Sequence, residues 1–367
     1  MDTPLDELSE PPSNPDIKEV QALNEAGKQA FATGNIELAL DKANQSLTLL
    51  IQVTDTNQYP LLVENYLLQS NIFYHKKDWS QAANFAERAI HICREYTLPL
   101  MEIKAHLLIG KASKQTQQYE LAMTHLLYAK ELGKQNNAHK EVSAALLYIG
   151  ILYNQVYHYS KALTQLRMLE EKYVDFLTPT HQLLLLNSLG KAYIRSSQIE
   201  QALHYFLEAE RNAKKRNNKT ALVYSLSYLG VIFSRKNEYN KALRYAKRVN
   251  NIREQIGDVE GIQVNLINLG YIHHQLEKNN ESIKLTSRGI AAAKRMKDGL
   301  SEIRGYQIMA EIFRKQKDFK NAVMYQMIYT KFYEDFYQRN ERQKLAEIEH
   351  QFIVKKLEEK IASLSKK

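Results

Sequence analysis

The fold is decided by the stretch LLLLNSLGKAYIRSSQIEQALHYFLEAERNAKK, which runs from residue 183 to residue 215. Leu186, Leu189 and Tyr193 recur at three- and four-residue spacing, which predicts one apolar face of an α-helix. Leu203 and Phe206 belong to a second apolar face that follows a short polar break at 196–198. Because so short a connection joins neighbouring antiparallel helices, we expect the two helices to pack as a pair.

This helix pair is one copy of a repeat with a spacing of forty residues. Small residues recur at that spacing at Gly110, Gly150, Gly190, Gly230, Gly270 and Ala310. Twelve residues after each of them comes a second small residue: Ala122, Ala162, Ala202, Ala242, Ser282 and Ala322. Ser70 with Ala82, and Gly27 with Ala39, extend the pattern toward the N-terminus. The pattern predicts eight helix pairs over about residues 20–335, with small residues where paired helices come closest.

Composition supports a helical protein with a basic body. The 367 residues include only 13 glycines and 7 prolines, too few turn-forming residues for a protein with many strands. The net charge is +9, although residues 1–20 hold six acidic residues and one lysine. The remaining chain is therefore strongly basic, which favours anionic partners without identifying one.

On these residues the chain resembles the tetratricopeptide repeat family. The resemblance is carried by the pairs Leu189-Gly190, Leu229-Gly230 and Leu269-Gly270, by the tyrosines 153 and 193, and by the alanine-rich second helix. The forty-residue spacing is similar to that of repeats in bacterial signalling proteins and spindle-orientation adaptors. The resemblance implies an all-α, right-handed superhelical solenoid of about eight helix pairs with a long C-terminal helix.

The resemblance also implies a concave groove lined by the first helix of each pair. Polar and aromatic residues at the groove-facing positions are the expected peptide- or partner-binding residues: Asn71, Tyr74, Lys111, Lys114, Asn154, Asn187, Lys191, Arg195, Arg235, Tyr271, His274 and Arg314. Asparagine side chains can hold the backbone of an extended peptide by paired hydrogen bonds. Arginine and lysine then select carboxylates or phosphates. The alternative is a solvated basic surface without a ligand.

No pattern of catalytic or cofactor-binding residues stands out. The Gly-Lys pairs at 110–111 and 190–191 are not followed by Ser or Thr and have no glycine five residues upstream, unlike a phosphate-binding loop. The adjacent His273 and His274 diverge around a helix and do not form a metal pair, and we expect His273 on the packing face. Cys93 lies among apolar residues and is expected to be a buried structural thiol. We therefore expect no enzyme, no cofactor and no metal.

The two ends are expected to differ from the repeat array at 18–335. Residues 1–17 carry four of the seven prolines and no periodicity, which indicates a disordered acidic tail. The pattern predicts an amphipathic helix over residues 336–367, with Leu345, Ile348 and Phe352 on one stripe. This helix either caps the last pair or projects as a coiled coil, which would make a homodimer or connect to an effector domain.

The leading functional hypothesis is a non-catalytic scaffold that binds an acidic or extended peptide, or a partner protein, in a basic groove. The alternative is the sensory input module of a bacterial signalling protein, with a peptide-pheromone receptor as a special case. Nucleic acid is a less favoured partner, because the basic clusters do not form one stripe. No apolar run is long enough to span a membrane, and the single cysteine with no secretory signal favours the cytoplasm.

Overall fold

The computed structural model describes residues 17–52 and 58–335, with the side chain of residue 300 excepted. This part of the chain forms sixteen α-helices in sequential pairs. The first eight are α1 (Ile17–Ala32), α2 (Ile36–Leu50), α3 (Gln58–His75), α4 (Trp79–Glu95), α5 (Pro99–Gln115), α6 (Tyr119–Gln135), α7 (His139–Gln155) and α8 (Tyr159–Lys172). The next seven are α9 (Pro179–Arg195), α10 (Ile199–Lys215), α11 (Lys219–Arg235), α12 (Tyr239–Gln255), α13 (Val259–Gln275), α14 (Asn279–Met296) and α15 (Gly299–Lys315). Helix α16 is described over 319–335. The predicted all-α repeat fold is thereby confirmed.

Small residues let the paired helices approach closely at most of the predicted positions. A Cβ atom added to Gly190 would lie 2.7 Å from the ring of Phe206, which is fully buried on the partner helix α10. Gly230 is an exception, because an added Cβ would meet Tyr245 only at an ordinary 3.7 Å. The close approach is therefore a property of individual repeats rather than of every glycine in the series.

The turns between helices recur every twenty residues, half the forty-residue spacing of the small residues. A residue with positive φ follows a helix end by one or two positions at 77, 97, 117, 137 and 157, and again at 197, 217, 237, 257, 277, 297 and 317. The following amide closes the turn onto a carbonyl of the preceding helix, as Gln198 does onto Tyr193 at 2.9 Å. Turns within a pair and turns between pairs therefore share one geometry that recurs every twenty residues.

The one interruption in this series lies between α8 and α9. Helix α8 ends at Lys172, and a short 3₁₀ turn covers Val174–Phe176. Thr178 then caps α9 by accepting a hydrogen bond from the His181 amide, and Pro179 occupies the first turn.

The chain divides into two compact units, which we call the N-terminal unit and the C-terminal unit. Of the described residues, the N-terminal unit contains those up to 152 together with 172–176, and the C-terminal unit contains 153–171 and 177–335. The N-terminal unit has a polar seam in its core. There Asn65 donates to Asn24 at 2.9 Å and to the Ala43 carbonyl at 2.8 Å, while Ser46 donates to Asn24 at 2.8 Å.

Several expectations can be checked against the described residues. Cys93 is a buried free thiol, as predicted, and burial raises its pKa to about 12, with Glu102 adding to the effect. No helix within the described ranges is long and apolar enough to cross a membrane. Those ranges also hold no group of three His, Cys, Asp or Glu side chains arranged to bind a metal. The predicted helix at 336–367 and almost all of the predicted tail lie outside the described residues.

Candidate functional site

The C-terminal unit contains a cavity of about 460 Å³. First helices of four successive pairs, α9, α11, α13 and α15, supply nearly all of its walls, and α12 adds Ala246. The polar lining residues are Arg195, Ser227, Tyr228, Ser234, Arg235, Asn265, Asn268, Tyr271 and Arg304. These residues come together because helices at a constant spacing present the same face to one side.

Three arginines line this cavity, and they define what we call the arginine cluster: Arg195, Arg235 and Arg304. Arg235 donates from Nη1 to the carbonyl of Ile194 at 3.2 Å. Arg304 donates from Nη1 to the amide oxygen of Asn268 at 2.9 Å, and its guanidinium carbon lies 5.5 Å from the centre of the Tyr271 ring. In the part of the chain that the structure describes, no carboxylate lies within ion-pair distance of any of the three.

A series of hydrogen-bonded side-chain amides orients Arg304 from the side away from the cavity. Asn268 donates to Asn265 at 3.3 Å. The buried Asn265 in turn donates to the Ala246 carbonyl at 3.0 Å and to Asn250 at 2.8 Å. Each amide therefore fixes the orientation of the next one, from the core outward to the guanidinium.

The pKa values of two residues in the cavity, Arg304 and Tyr271, are shifted from their ordinary values. Burial lowers the pKa of Arg304 from its ordinary value, and the charge of Arg235 lowers it further, whereas Tyr271 acts in the opposite direction. Burial also raises the pKa of Tyr271, so this phenol keeps its proton and can donate a hydrogen bond. All three arginine side chains are exposed at the cavity, and a bound anion would offset the repulsion between Arg304 and Arg235.

The N-terminal unit has a different arrangement, which we call the lysine–tyrosine cluster: Tyr74, Lys111, Lys114 and Tyr148. The ammonium nitrogen of Lys111 lies 4.6 Å from the centre of the Tyr74 ring and 5.7 Å from that of Tyr148. Gln115 donates to the Tyr74 hydroxyl at 3.1 Å. Burial lowers the pKa of both lysines, and Lys114 lowers that of Lys111 further. The charge of Lys111 is thus directed at ring faces rather than at an open cavity.

The twelve residues expected in the groove are distributed over both units. Asn71, Tyr74, Lys111 and Lys114 lie in the N-terminal unit, and the other eight lie in the C-terminal unit. Of those eight, the structure brings three to the cavity: Arg195, Arg235 and Tyr271. Arg314 is exposed on α15, outside the cavity lining, and Lys191 is half-buried on α9.

Three of the expected residues are buried in the interior of the C-terminal unit. Asn154 donates to the carbonyl of Ser188 at 2.8 Å, and His274 makes a 3.3 Å contact with Asn279. His274 is only 2% exposed, whereas its neighbour His273, expected on the packing face, is partly exposed. The amide oxygens of Asn154 and Asn187 are buried and have no hydrogen-bond partner.

Arg304, Asn268 and Asn265 line the cavity but are not among the twelve expected residues, although the sequence holds a signal for Arg304. Arg304, Gln307, Glu311 and Arg314 follow one another at three- and four-residue spacing, so they share one face of α15. Of these four residues, only Arg314 is among the twelve expected in the groove. On α13 and α15 the cavity reaches residues nearer the N-terminal ends of those helices than the expected Tyr271, His274 and Arg314.

Comparison with curated proteins finds two informative relatives, while no protein-family profile matches the chain. The chain is 24% identical over 243 residues to response regulator aspartate phosphatase I of Bacillus subtilis (strain 168), covering 64% of this chain and 59% of that protein. It is 29% identical over 147 residues to tetratricopeptide repeat protein 29 of Macaca fascicularis, covering 38% and 30%. The matched region therefore spans less than two thirds of either relative.

Solved structures give the same fold over more of the chain. The apo form of RapI has a TM-score of 0.58 at 21% identity and covers 76% of this chain and 99% of that one. The apo form of the quorum sensor NprR from B. thuringiensis has a TM-score of 0.61 at 15% identity, with 86% and 99% covered. NprR in complex with its cognate peptide NprX has a TM-score of 0.57 at 16% identity, with 85% and 89% covered.

These likenesses, taken with the repeat and its structure, define the class of fold: the described residues form a solenoid like that of tetratricopeptide-repeat proteins. Within that class its fold is similar to the folds of RapI and NprR, and its sequence is similar to that of a Bacillus response regulator phosphatase.

Proposed function

We propose that the chain is a peptide-binding regulatory protein whose C-terminal unit receives an extended, acidic peptide. The observation that carries this proposal is the cavity with its arginine cluster, which lies on the face that successive first helices share. A cavity of about 460 Å³ is large enough for a few peptide residues. The unpaired guanidinium groups favour carboxylates on the ligand.

Two buried asparagines have unsatisfied amide oxygens, and one of them lies on the same face of α9 as two cations. The amide oxygens of Asn154 and Asn187 lack partners, and buried acceptors of this kind are rare in native structures. Asn187 is followed at four-residue spacing by Lys191 and Arg195 on the same face of α9. A peptide laid along this face would meet the cations Lys191 and Arg195, whereas the amide oxygen of Asn187 is buried beneath them.

The similar proteins favour a regulatory role over a passive scaffold. NprR is a quorum sensor with a structure in complex with its cognate peptide, and the curated Bacillus relative carries the name of a response regulator phosphatase. By this comparison the peptide is a signal, and its binding changes how the chain acts on a protein partner. The cytoplasm, a homodimer through 336–367 and the absence of catalysis remain predictions.

The proposal is tested by charge reversal on α9. We expect the double variant Lys191→Glu and Arg195→Glu to lose at least tenfold in affinity for peptides selected from a random heptapeptide pool, because two cations become carboxylates that repel the ligand. Isothermal titration with the selected peptides measures the change, and circular dichroism checks that helicity is kept. The matched control is Arg288→Glu on α14, an exposed arginine outside the cavity lining. Unaltered affinity in the α9 variant, or no peptide recovered by the wild type, would reject the proposal.

A second candidate function is catalysis, and the name of the Bacillus relative favours it. The alignment to response regulator aspartate phosphatase I covers 64% of this chain. In this case the chain would speed loss of the phosphoryl group from a phosphorylated response regulator. The decay of such a substrate, followed with and without the chain, separates the two candidates, because a purely binding protein leaves the decay rate unchanged.

A further inference from the structure

The N-terminal unit contains a pocket of about 320 Å³, which we call the Ser113 pocket. Three helices form its walls: α4 supplies Trp79 and Ala83, α5 supplies Ser113, and α6 supplies Leu121. The pocket shares no residue with the arginine cluster, and none of the residues expected in the groove lines it. It is therefore a separate feature of the molecule.

The pocket exists because two positions of the repeat hold small residues in this place. From the second helix pair onward, the position three residues after the small residue of each first helix carries a ring in every pair but one: Phe73, Tyr153, Tyr193, Phe233, His273 and Phe313. The exception is Ser113. The position thirteen residues after the small residue carries a larger apolar side chain in every pair but one: Met123, Leu163, Leu203, Leu243, Ile283 and Val323. The exception is Ala83, which meets Ser113 across the pocket.

Other pairs show where the ring absent at 113 would lie. The ammonium nitrogen of Lys241 is 5.3 Å from the centre of the Phe233 ring. Lys161 lies over the ring of Tyr153 in the same way, at 5.6 Å. Leu121 holds the position of these two lysines in the third pair, and it lines the pocket. The volume beside Leu121 is therefore the volume that an aromatic side chain fills elsewhere in the array.

Ser113 places a hydrogen-bonding group in this volume. The residue is 2% exposed, and its hydroxyl oxygen has no hydrogen-bond partner in the part of the chain that the structure describes. Buried hydroxyls without a partner are rare, because leaving such a group unpaired costs free energy. A hydrocarbon ring in the pocket would leave the Ser113 hydroxyl unpaired, whereas a phenol hydroxyl can donate to it or accept from it.

The rim of the pocket is polar and negatively charged. Among the described residues that line it, Glu87 alone carries a charge. Glu87 is exposed on α4, and no cation of the described ranges lies within ion-pair distance of it. Asn84 and Gln118 also line the pocket and are exposed, so their amides can hydrogen-bond a peptide backbone. A ring carried on a peptide, with a cation next to it, would use all of these groups.

We propose that the Ser113 pocket binds a tyrosine side chain of a partner protein, at a place where that partner has a basic residue next to the tyrosine. The ring lies between Ala83 and Leu121, where other pairs place their own side chains. The phenol hydroxyl forms a hydrogen bond with Ser113, and Glu87 attracts the neighbouring cation. This site adds a second binding surface to the chain and does not depend on the proposed function of the arginine cluster.

The test uses Trp79, which is the only tryptophan of the chain and lines the pocket. Its fluorescence, excited where tyrosine does not absorb, reports the occupancy of the pocket when the full chain is titrated. The probes are p-cresol and toluene, which reproduce the side chains of tyrosine and phenylalanine, and the peptide acetyl-Lys-Tyr-Lys-amide. We expect p-cresol to bind about three- to tenfold more tightly than toluene, because only p-cresol can pair with the Ser113 hydroxyl.

The peptide is expected to bind more tightly than p-cresol, because its lysines are attracted to Glu87. Glu87→Gln should weaken the peptide and leave p-cresol unchanged. A free phenol that binds more tightly than the peptide would overturn the partner's tyrosine as the ligand. No response of Trp79 to any of the three probes would overturn the site itself.

Variants that fill the pocket separate a specific site from general stickiness. Ser113→Tyr and Ala83→Leu introduce side chains that other pairs carry at these positions, and each should abolish the binding of p-cresol. The matched control is Thr164→Tyr, because Thr164 is exposed on α8 and lies outside the pocket lining. Binding that persists in both filled variants would contradict the assignment.

Ser113→Ala keeps the test decisive if a filled variant fails to fold, since it removes one oxygen atom and adds no bulk. We expect this variant to bind p-cresol and toluene with equal affinity, and circular dichroism checks that its helicity is kept. A preference for p-cresol that survives in Ser113→Ala would show that the hydroxyl does not recognise a phenol, and the choice of tyrosine would then be wrong.

Discussion

The two units place positive charge on the same repeat scaffold in opposite ways. In the N-terminal unit, Lys111 lies over the rings of Tyr74 and Tyr148, and burial lowers its pKa. In the C-terminal unit, Arg235 and Arg304 line a cavity and are anchored by a carbonyl and an amide. A lysine against aromatic faces is largely satisfied by the protein, whereas an arginine with free donors at a cavity is not.

The basic residues of a repeat array are therefore not all equally available to a ligand. An ammonium is a compact charge that the ring faces can satisfy, while a guanidinium keeps its charge and offers several directed donors. Chemistry at a few positions, rather than net charge, decides which unit can take an anionic ligand. Each prediction below tests one side of this contrast.

The largest effect is expected from the packing beneath the cavity. Phe206 is fully buried, stacks on the cavity residue Tyr228 at 4.7 Å between ring centres, and fills the space beside Gly190. We expect Phe206→Ala to lower the free energy of unfolding by about 3 to 5 kcal/mol. Chemical denaturation measures the loss, and hydrogen exchange should show it concentrated in α9 to α12.

Leu126 provides a control at the same repeat position in the N-terminal unit. It is fully buried against Gly110, as Phe206 is against Gly190. Leu126→Ala should cost about 2 to 5 kcal/mol and accelerate exchange in α5 and α6, while the cavity keeps its ligand preference. An equal loss of peptide binding in both variants would show that the cavity does not depend on its own unit.

An intermediate effect is expected from pH in the N-terminal unit. His106 and His125 face each other with their Nδ1 atoms 2.8 Å apart, and Glu102, Arg94 and Tyr128 surround the pair. Burial, together with the nearby charges of His106 and Arg94, lowers the pKa of His125 to about 4. Because the unfolded histidine titrates near 6.5, the unfolded chain binds more protons between these values.

Stability of this unit is therefore expected to be full above about pH 6.5 and to fall by up to roughly 3 kcal/mol as the pH drops toward 4. His125→Gln should flatten that dependence, since the amide does not titrate. Denaturation midpoints between pH 4 and pH 7.5 measure it for both chains. A wild type whose stability does not change over this range would show that folding does not oppose protonation of His125.

The smallest effect is expected at Lys111. Lys111→Met removes a charge that is partly desolvated but keeps a side chain of similar length against the tyrosine rings. We expect the free energy of unfolding to change by less than about 1 kcal/mol, because the lost cation–π contact and the relieved burial offset each other. Urea titration checks this value. A large loss in the free energy of unfolding would mean that the charge of Lys111 stabilises the N-terminal unit. The contrast drawn here between the lysine–tyrosine cluster and the arginine cluster would then be wrong.

Much of this architecture could be predicted because small side chains recur at a fixed spacing where paired helices make contact. Gly110, Gly190 and Gly270 marked close helix contacts, and the structure shows each of them against a partner side chain. The turns were less visible, since most of the positive-φ positions hold ordinary residues such as Lys77, Thr97 and Tyr157. Tertiary packing of the flanking helices enforces that conformation there, against the local preference of the side chain.

The sequence by itself determined the helix pairs and the register of their small residues, because steric periodicity is a local property of the chain. Only the tertiary structure decided which polar residues meet. Asn265, Asn268 and Arg304 are up to 39 residues apart, yet they form one hydrogen-bonded chain because α13 and α15 present the same side. Tertiary structure likewise buried Asn154, Asn187 and His274 and opened Arg195 and Arg235 to the cavity. Exposure at a given repeat position depends on the bulk of its neighbours in other helices, and that bulk has no fixed spacing in the sequence.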